Sequence, residues 1–181
     1  MEALIIVDVQ NDFCPGGALP APRANEIIPV INKLMDKFSL IVASRDVHPP
    51  DTKHFDKWPP HCIDGTRGAL FHPDLNITRI QKGFHKGTGN KDDGYSAFEA
   101  TNEDLTGYLL TKRVTEVYIT GLTTEYCVKT TALDAVQQGF NTWLITDAIA
   151  AVEPGSENEA KAITEMEKAG IRLVKSESIC C

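Results

Sequence analysis

Three side chains from distant parts of the sequence could together perform nucleophilic catalysis: Asp8, Lys86 and Cys127. Cys127 follows an apolar strand pattern and a glycine turn. It stands near the start of a helical pattern, where free N–H groups and the helix dipole favour a thiolate. The same amides could stabilise the oxyanion of an acyl intermediate. An isolated cysteine at such a position more often only packs between a helix and the sheet. Whether Cys127 is a nucleophile therefore depends on the residues around it.

Asp8 and Lys86 supply the other two functions that covalent catalysis needs. Asp8 follows an apolar run at 3–7, so burial would raise its pKa and make it a base, although a loop-capping aspartate has the same signature. Lys86 could stabilise a thiolate or an oxyanion. A solvated lysine is the commoner case, and Lys82 and Lys91 fit the spacing as well. The set predicts a base, a cation and a nucleophile.

A short proline-rich stretch contains a possible metal site, with four donor residues: Asp46, His48, His54 and His61. Asp46 and His48 are two residues apart, so both side chains leave one face of an extended segment. One carboxylate and three imidazoles suit Zn²⁺, Fe²⁺ or Mn²⁺, with positions open for water or substrate. The alternative is a polar loop that contains histidines by chance. His72 and His85 fit no such geometry and are left out.

Three aromatic residues at loop positions could line a small flat pocket: Phe13, Trp58 and Tyr95. Aromatic rings in loops are harder to explain as core residues than those on strands. Each of them taken alone is as compatible with ordinary packing.

Strand and helix patterns alternate along the chain and position these residues. Short apolar runs predict strands at 3–7, 40–43, 117–119, 143–145 and 171–174. A weaker run at 77–80 could be another strand. Helical spacing of apolar residues separates most of them, which predicts an α/β sandwich with a mainly parallel sheet. Ligands bind beyond the carboxyl ends of such strands. Asp8, Asp46, Lys86 and Cys127 would converge there.

Composition narrows the class of protein. A chain of 181 residues with 42% hydrophobic residues predicts one folded domain. The net charge of −7 argues against nucleic acid or an anionic membrane as a partner. The start of the chain has no basic leader, so a cytoplasmic location is expected. Cys14 and Cys62 are expected to be reduced thiols, and Cys180 and Cys181 a tail without function.

The sequence resembles a known family in five segments, in the same order along nearly the whole chain. They are LIIVDVQNDFCPGGAL, SRDVHP, KWPPHCIDGTRGALFHP, HKGT and GLTTEYCVKTTALDA. Together they are similar to the nicotinamidases, or pyrazinamidases, of the isochorismatase-like cysteine hydrolases. The resemblance implies a single domain over 1–181, with about six parallel strands and helices on both faces in a Rossmann-like three-layer arrangement. It also implies hydrolysis of nicotinamide to nicotinate and ammonia in NAD salvage, and of pyrazinamide.

The resemblance assigns a role to each candidate residue. Asp8 would be the general base, Cys127 the nucleophile that forms a thioester, and Lys86 the stabilising cation. Asp46, His48, His54 and His61 would hold one divalent metal ion, zinc or iron before manganese. The predicted substrate-binding residues are Phe13, Trp58, Tyr95, Leu122 and Thr123. Phe13 and Trp58 would sandwich the ring, and the amides of Thr123 and Cys127 would form an oxyanion hole beside a cis Leu122-Thr123 peptide bond.

Two details depart from the family pattern, and two other functions stay open. Thr123 and Glu125 replace an alanine and an aspartate, and residues 91–93 are unusually charged for a site that binds a neutral substrate. A related amidase acting on biuret or N-carbamoylsarcosine would use the Asp-Lys-Cys set without the metal ligands. A non-catalytic metal-binding module is the second alternative. The native metal, the range of substrates and the choice between monomer and homo-oligomer are open.

Overall fold

One sheet of six parallel strands forms the centre of the protein in a computed structural model, which describes residues 1–179. The strands are β1 (Glu2–Val7), β2 (Ile41–Asp46), β3 (Lys82–Lys86), β4 (Glu116–Leu122), β5 (Asn141–Ala150) and β6 (Arg172–Val174). The helices are α1 (Ala24–Leu34), α2 (Leu105–Thr111), α3 (Lys129–Gln137) and α4 (Glu157–Lys168). The strand order is β3-β2-β1-β4-β5-β6, which confirms the predicted single-domain α/β fold.

The sheet is covered on both faces because its central strand is apolar on both. In β1, Leu4 and Ile6 pack into a cluster with the buried residues of α1. The alternate residues of the same strand, Ala3, Ile5 and Val7, pack with residues of α2, α3 and α4. Successive side chains of a strand point to opposite faces, so a fully apolar strand demands helices on both sides.

The strand order creates a crevice at the centre of the sheet. From β1 the chain moves outward through β2 to β3, then returns to form β4 on the other side of β1. Such a reversal opens a ligand-binding crevice at the carboxyl ends of the two central strands. Gly121 allows these strands to approach closely: its φ is +114°, and a Cβ atom there would lie 2.1 Å from the Val7 carbonyl oxygen. The next peptide bond, Leu122-Thr123, is cis.

The weak apolar run at 77–80 is not a strand, and this prediction is wrong. Residues Ile77–Arg79 form a 3-10 turn in which Ile77 is 54% exposed. The strand lies a few residues later, at β3, which has one fully buried large apolar residue, Phe84. β3 is an edge strand with a single neighbour, so it needs no continuous apolar run.

The described residues test part of what the sequence predicted for the cysteines. Cys14 and Cys62 are buried and free of disulfides, as predicted. Cys180 and Cys181, predicted to form a tail without function, lie outside the described residues. Over residues 1–179, the helices are too short or too polar to cross a lipid bilayer.

Candidate active site

Three elements bring Asp8, Lys86 and Cys127 into contact. Asp8 directly follows β1 with a left-handed φ of +49°, Lys86 ends β3, and Cys127 lies on a π-helical turn, Thr124–Val128, between β4 and α3. The Lys86 Nζ atom is 2.7 Å from Asp8 Oδ2 and 3.3 Å from Cys127 Sγ. A non-glycine residue at positive φ at the end of a strand is often functional. The predicted base, cation and nucleophile therefore form one buried cluster.

Burial sets the protonation of this cluster. It raises the pKa of Asp8 to about 6, against the opposing effect of the Lys86 ammonium. Burial by itself would lower the pKa of Lys86, but the carboxylates of Asp46 and Asp8 outweigh it and hold that pKa well above its ordinary range. Burial also raises the pKa of Cys127, and Lys86 offsets this only in part. The expectation of a lowered Cys127 pKa is wrong, so the thiol needs a base to ionise it.

The structure distinguishes Lys86 from the other lysines that fit the spacing. Lys86 is completely buried, and its ammonium also donates to the Gly94 carbonyl at 3.1 Å. Lys82 instead forms an ion pair with Glu103, and Lys91 pairs with Asp93 at 2.5 Å. A buried ammonium is tolerated when carboxylates and carbonyls surround it.

Two supporting residues were missed by sequence reasoning. Ser44 Oγ donates to Asp8 Oδ1 at 2.7 Å and so orients the carboxylate. The Gln10 side chain accepts from the backbone N–H of Asp46 and donates to its carbonyl, both at 2.8 Å. Gln10 lies in the VDVQNDF segment that follows β1, but a neutral side chain alone gives no signal of such a role.

Three imidazoles meet beside this cluster. His48, His54 and His61 each have a ring nitrogen within 4.8 Å of the other two. The Nδ1 atoms are engaged elsewhere: in His48 with the Gly87 carbonyl at 2.8 Å, in His61 with the Pro59 carbonyl at 2.7 Å, and in His54 with Asp92 at 2.9 Å. These partners only accept, so each Nδ1 bears the proton and each Nε2 is free to ligate a metal.

The donor set fits a divalent metal ion. His48 Nε2 is buried and has no hydrogen-bond partner among the described residues, although it lies 3.4 Å from Asp46 Oδ2. Burial lowers the pKa of His54 and lowers that of His61 to about 4, so both rings are neutral at pH 7. Neutral imidazoles with a carboxylate are the ligands that Zn²⁺ and Fe²⁺ take. A cation here would also satisfy the unpaired nitrogen.

The two remaining histidines lie apart from the three, as the sequence indicated. His85 Nε2 contacts the Arg45 guanidinium at 2.9 Å on the outer strand β3. His72 Nδ1 accepts a hydrogen bond from the backbone N–H of Asp74 at 3.2 Å. Each has a local partner, so neither is a candidate ligand.

A small cavity joins two of these histidines to the nucleophile. Its walls include Phe13, Trp58, Tyr95 and Thr123 from the predicted set, together with Asp46, His54, His61 and Cys127. Sequence reasoning missed Leu19, Tyr126 and Val152, which also line it. Leu122, predicted to bind substrate, does not line this cavity, and its side chain is buried in the core.

Two acidic residues form hydrogen bonds with residues that line the cavity. Glu125 accepts hydrogen bonds from the backbone N–H groups of Val152 and Glu153, each at 3.0 Å, and so attaches this wall to the turn that contains Cys127. In the charged segment 91–93, Asp92 bonds His54 and Tyr95. The hydrogen bonds of Asp92, with Lys57 first, lower its pKa to about 2. The segment therefore contributes one carboxylate to the site.

Comparisons with known proteins identify the family of this chain. The isochorismatase domain model matches residues 2–178. A curated nicotinamidase from Acinetobacter baylyi is 38% identical over 98% of this chain and 94% of its own. The chain therefore belongs to the isochorismatase family and is an amidohydrolase. Among solved structures, a Pyrococcus horikoshii pyrazinamidase in complex with zinc has a TM-score of 0.87 and 43% identity, covering 96% of this chain and 98% of that one.

A second solved structure is similar over a comparable length. PnC1 from L. infantum, in complex with nicotinate, has a TM-score of 0.93 and 34% identity, and it covers 99% of this chain and 95% of that one. Both structural likenesses span the complete α/β domain.

Proposed function

We propose that the protein hydrolyses nicotinamide to nicotinate and ammonia, serves NAD salvage, and also accepts pyrazinamide. The observation that supports this function best is a single cavity lined by Cys127, the thiol of the buried cluster, and by His54 and His61, two of the three clustered imidazoles. Nicotinamide has a carboxamide that the thiol could attack. It also has a ring nitrogen that a metal ion held by the imidazoles could bind. The similarity to a nicotinamidase, to a zinc-containing pyrazinamidase and to a nicotinate complex supports the same substrate.

The first half of the reaction forms a thioester. Asp8 removes the proton from Cys127 Sγ, the sulfur bonds to the carboxamide carbon, and the carbonyl oxygen becomes an oxyanion. The Lys86 ammonium and the amides of Thr123 and Cys127 stabilise this charge. The C–N bond then breaks as Asp8 returns the proton to nitrogen, and ammonia leaves. Base, cation and nucleophile have separate roles, as covalent catalysis requires.

The second half consumes water. Asp8 takes a proton from a water molecule whose oxygen attacks the thioester carbon. The C–S bond breaks, Asp8 returns the proton to the Cys127 sulfur, and the acid product loses its carboxyl proton to solvent and is released as nicotinate. Asp46, His48, His54 and His61 would hold one divalent metal, zinc or iron. When bound, that ion would fix the pyridine nitrogen and so orient the ring between Phe13 and Trp58.

Ammonia release from nicotinamide, with metal content assayed on the same preparation, tests the proposal. We expect release with about one metal ion per chain, and a variant Asp8→Asn that retains the metal but releases no ammonia. N-carbamoylsarcosine is the comparison substrate, because carbamoyl amidases share the Asp-Lys-Cys set without the metal ligands. Release from that compound and none from nicotinamide would overturn the proposal.

A further inference from the structure

One carboxylate outside the predicted site contacts both its metal-binding and its ring-binding parts. Asp92 belongs to no helix or strand and lies between β3 and Tyr95. Its Oδ1 atom is 2.9 Å from His54 Nδ1 and 2.7 Å from the Tyr95 hydroxyl. Its Oδ2 atom pairs with Lys57. A single oxygen therefore accepts from two residues that line the cavity.

The contact with His54 determines which of its nitrogens can bind a metal. A carboxylate accepts only, so Nδ1 donates and bears the proton. The lone pair of His54 is then on Nε2, as in His48 and His61. Those two rings are fixed by backbone carbonyls, whereas His54 depends on a side chain. A ligating histidine commonly depends on such an acceptor for its tautomer and orientation.

Tyr95 connects Asp92 to Trp58 through a second hydrogen bond. The Tyr95 hydroxyl donates a hydrogen bond to Asp92, so its oxygen is free to accept one from Trp58 Nε1 at 3.0 Å. Both Tyr95 and Trp58 line the cavity, and the Trp58 ring lies nearly parallel to that of His54, with an interplanar angle of 27°. One continuous chain of hydrogen bonds thus runs from Trp58 through Tyr95 and Asp92 to His54.

We propose that Asp92 is a positioning residue that holds His54 for metal binding and, through Tyr95, holds Trp58 for ring binding. The ring-binding half of this inference rests on the proposed function, whereas the metal-binding half does not. The neighbouring Asp93 pairs with Lys91 instead of these residues. The chain therefore contains its own matched control one residue away.

Zinc affinity, measured by chelator competition on metal-free protein, tests the first half. We expect Asp92→Ala to weaken zinc binding by roughly 10- to 100-fold, the usual effect of losing such an acceptor. Asp93→Ala and Tyr95→Phe should bind zinc as the wild type does, because both keep the Asp92–His54 contact. Far-UV circular dichroism checks that each variant is folded. An affinity of Asp92→Ala within twofold of the wild type would overturn the proposal.

Steady-state kinetics at saturating zinc test the second half. We expect Asp92→Ala and Tyr95→Phe each to raise KM for nicotinamide roughly tenfold, the equivalent of about one hydrogen bond, with kcat changed much less. Because both changes interrupt one chain, the double variant should have a KM close to that of either single variant. If the KM increases of the two single variants multiply in the double variant, Asp92 and Tyr95 do not act through one chain of hydrogen bonds. Wild-type inactivity on nicotinamide would count against the proposed function, while zinc affinity still decides the role of Asp92 at His54.

Discussion

Asp46 and Lys86 lie opposite each other at the ends of β2 and β3, with Asp46 Oδ1 2.5 Å from Lys86 Nζ. The other carboxylate oxygen of Asp46 lies 3.4 Å from His48 Nε2. Asp46 is therefore shared between the nucleophile cluster and the three imidazoles. Burial opposes its charge, but Lys86 and His48 hold the pKa of Asp46 below its usual range, so it is a carboxylate. Any change at Lys86 should affect both halves of the site.

Replacement of Cys127 should stop the reaction without removing the metal. The Cys127 sulfur lies 3.3 Å from Lys86 Nζ, whereas the group of imidazoles that could hold the metal consists of His48, His54 and His61. We expect Cys127→Ala to reduce ammonia release by at least 10³-fold, since the thioester cannot form. Zinc content per chain should equal that of the wild type. The control is Cys14→Ala, which removes another buried free thiol. Ammonia release above a trace by Cys127→Ala would rule out this nucleophile.

Replacement of Lys86 should destabilise the fold in a pH-dependent manner. Lys86→Met leaves the carboxylates of Asp8 and Asp46 buried without their cation, at a cost of roughly 3–5 kcal/mol in the free energy of unfolding. Protonation of one carboxylate removes a buried unpaired charge. The decrease in the free energy of unfolding, measured by urea denaturation, should therefore be smaller at pH 5 than at pH 8.

The double variant Lys86→Met/Asp8→Asn provides the control, since it contains one buried carboxylate fewer. It should recover part of the free energy that Lys86→Met loses at pH 8. A loss that is small and equal at both pH values would mean that the ammonium does not balance these charges.

The pH dependence of the reaction should report Asp8. Burial raises the pKa of Asp8 to about 6, and the base must be ionised to accept the thiol proton. We therefore expect kcat/KM to be level just above pH 6 and to fall about tenfold per pH unit below it. Zinc content assayed at each pH shows whether metal loss contributes. A rate that is constant between pH 5 and pH 8 would exclude Asp8 as the base.

The sequence predicted the fold and the convergence of the site, because both depend on local patterns. Runs that are apolar on both faces of a strand, such as that of β1, require helices on each side, and parallel strands bring their carboxyl ends to one edge. The positions of Asp8 and Cys127 after β1 and β4 follow from this topology.

What the sequence could not predict depends on contacts between distant segments. The edge strand β3 has too little apolar character to be recognised, so Lys86 could not be separated from Lys82 and Lys91. The raised pKa of Cys127 results from burial by the complete fold. The sequence showed only that residues 91–93 are unusually charged, because the partner of Asp92, His54, lies 38 residues earlier.

Gly87 should be required for the metal site because it leaves space for His48. Its φ is +67°, and a Cβ atom there would lie 2.5 Å from His48 Cε1. Its carbonyl also accepts from His48 Nδ1. We expect Gly87→Ala to displace the imidazole and weaken zinc binding by roughly 10- to 100-fold in chelator competition. Gly65→Ala is the matched control, because Gly65 has a similar φ of +75° and no neighbouring atom within 4 Å of a Cβ. It should lose some stability but keep its zinc affinity. Equal zinc affinities in the two variants would show that the steric argument for Gly87 is incorrect.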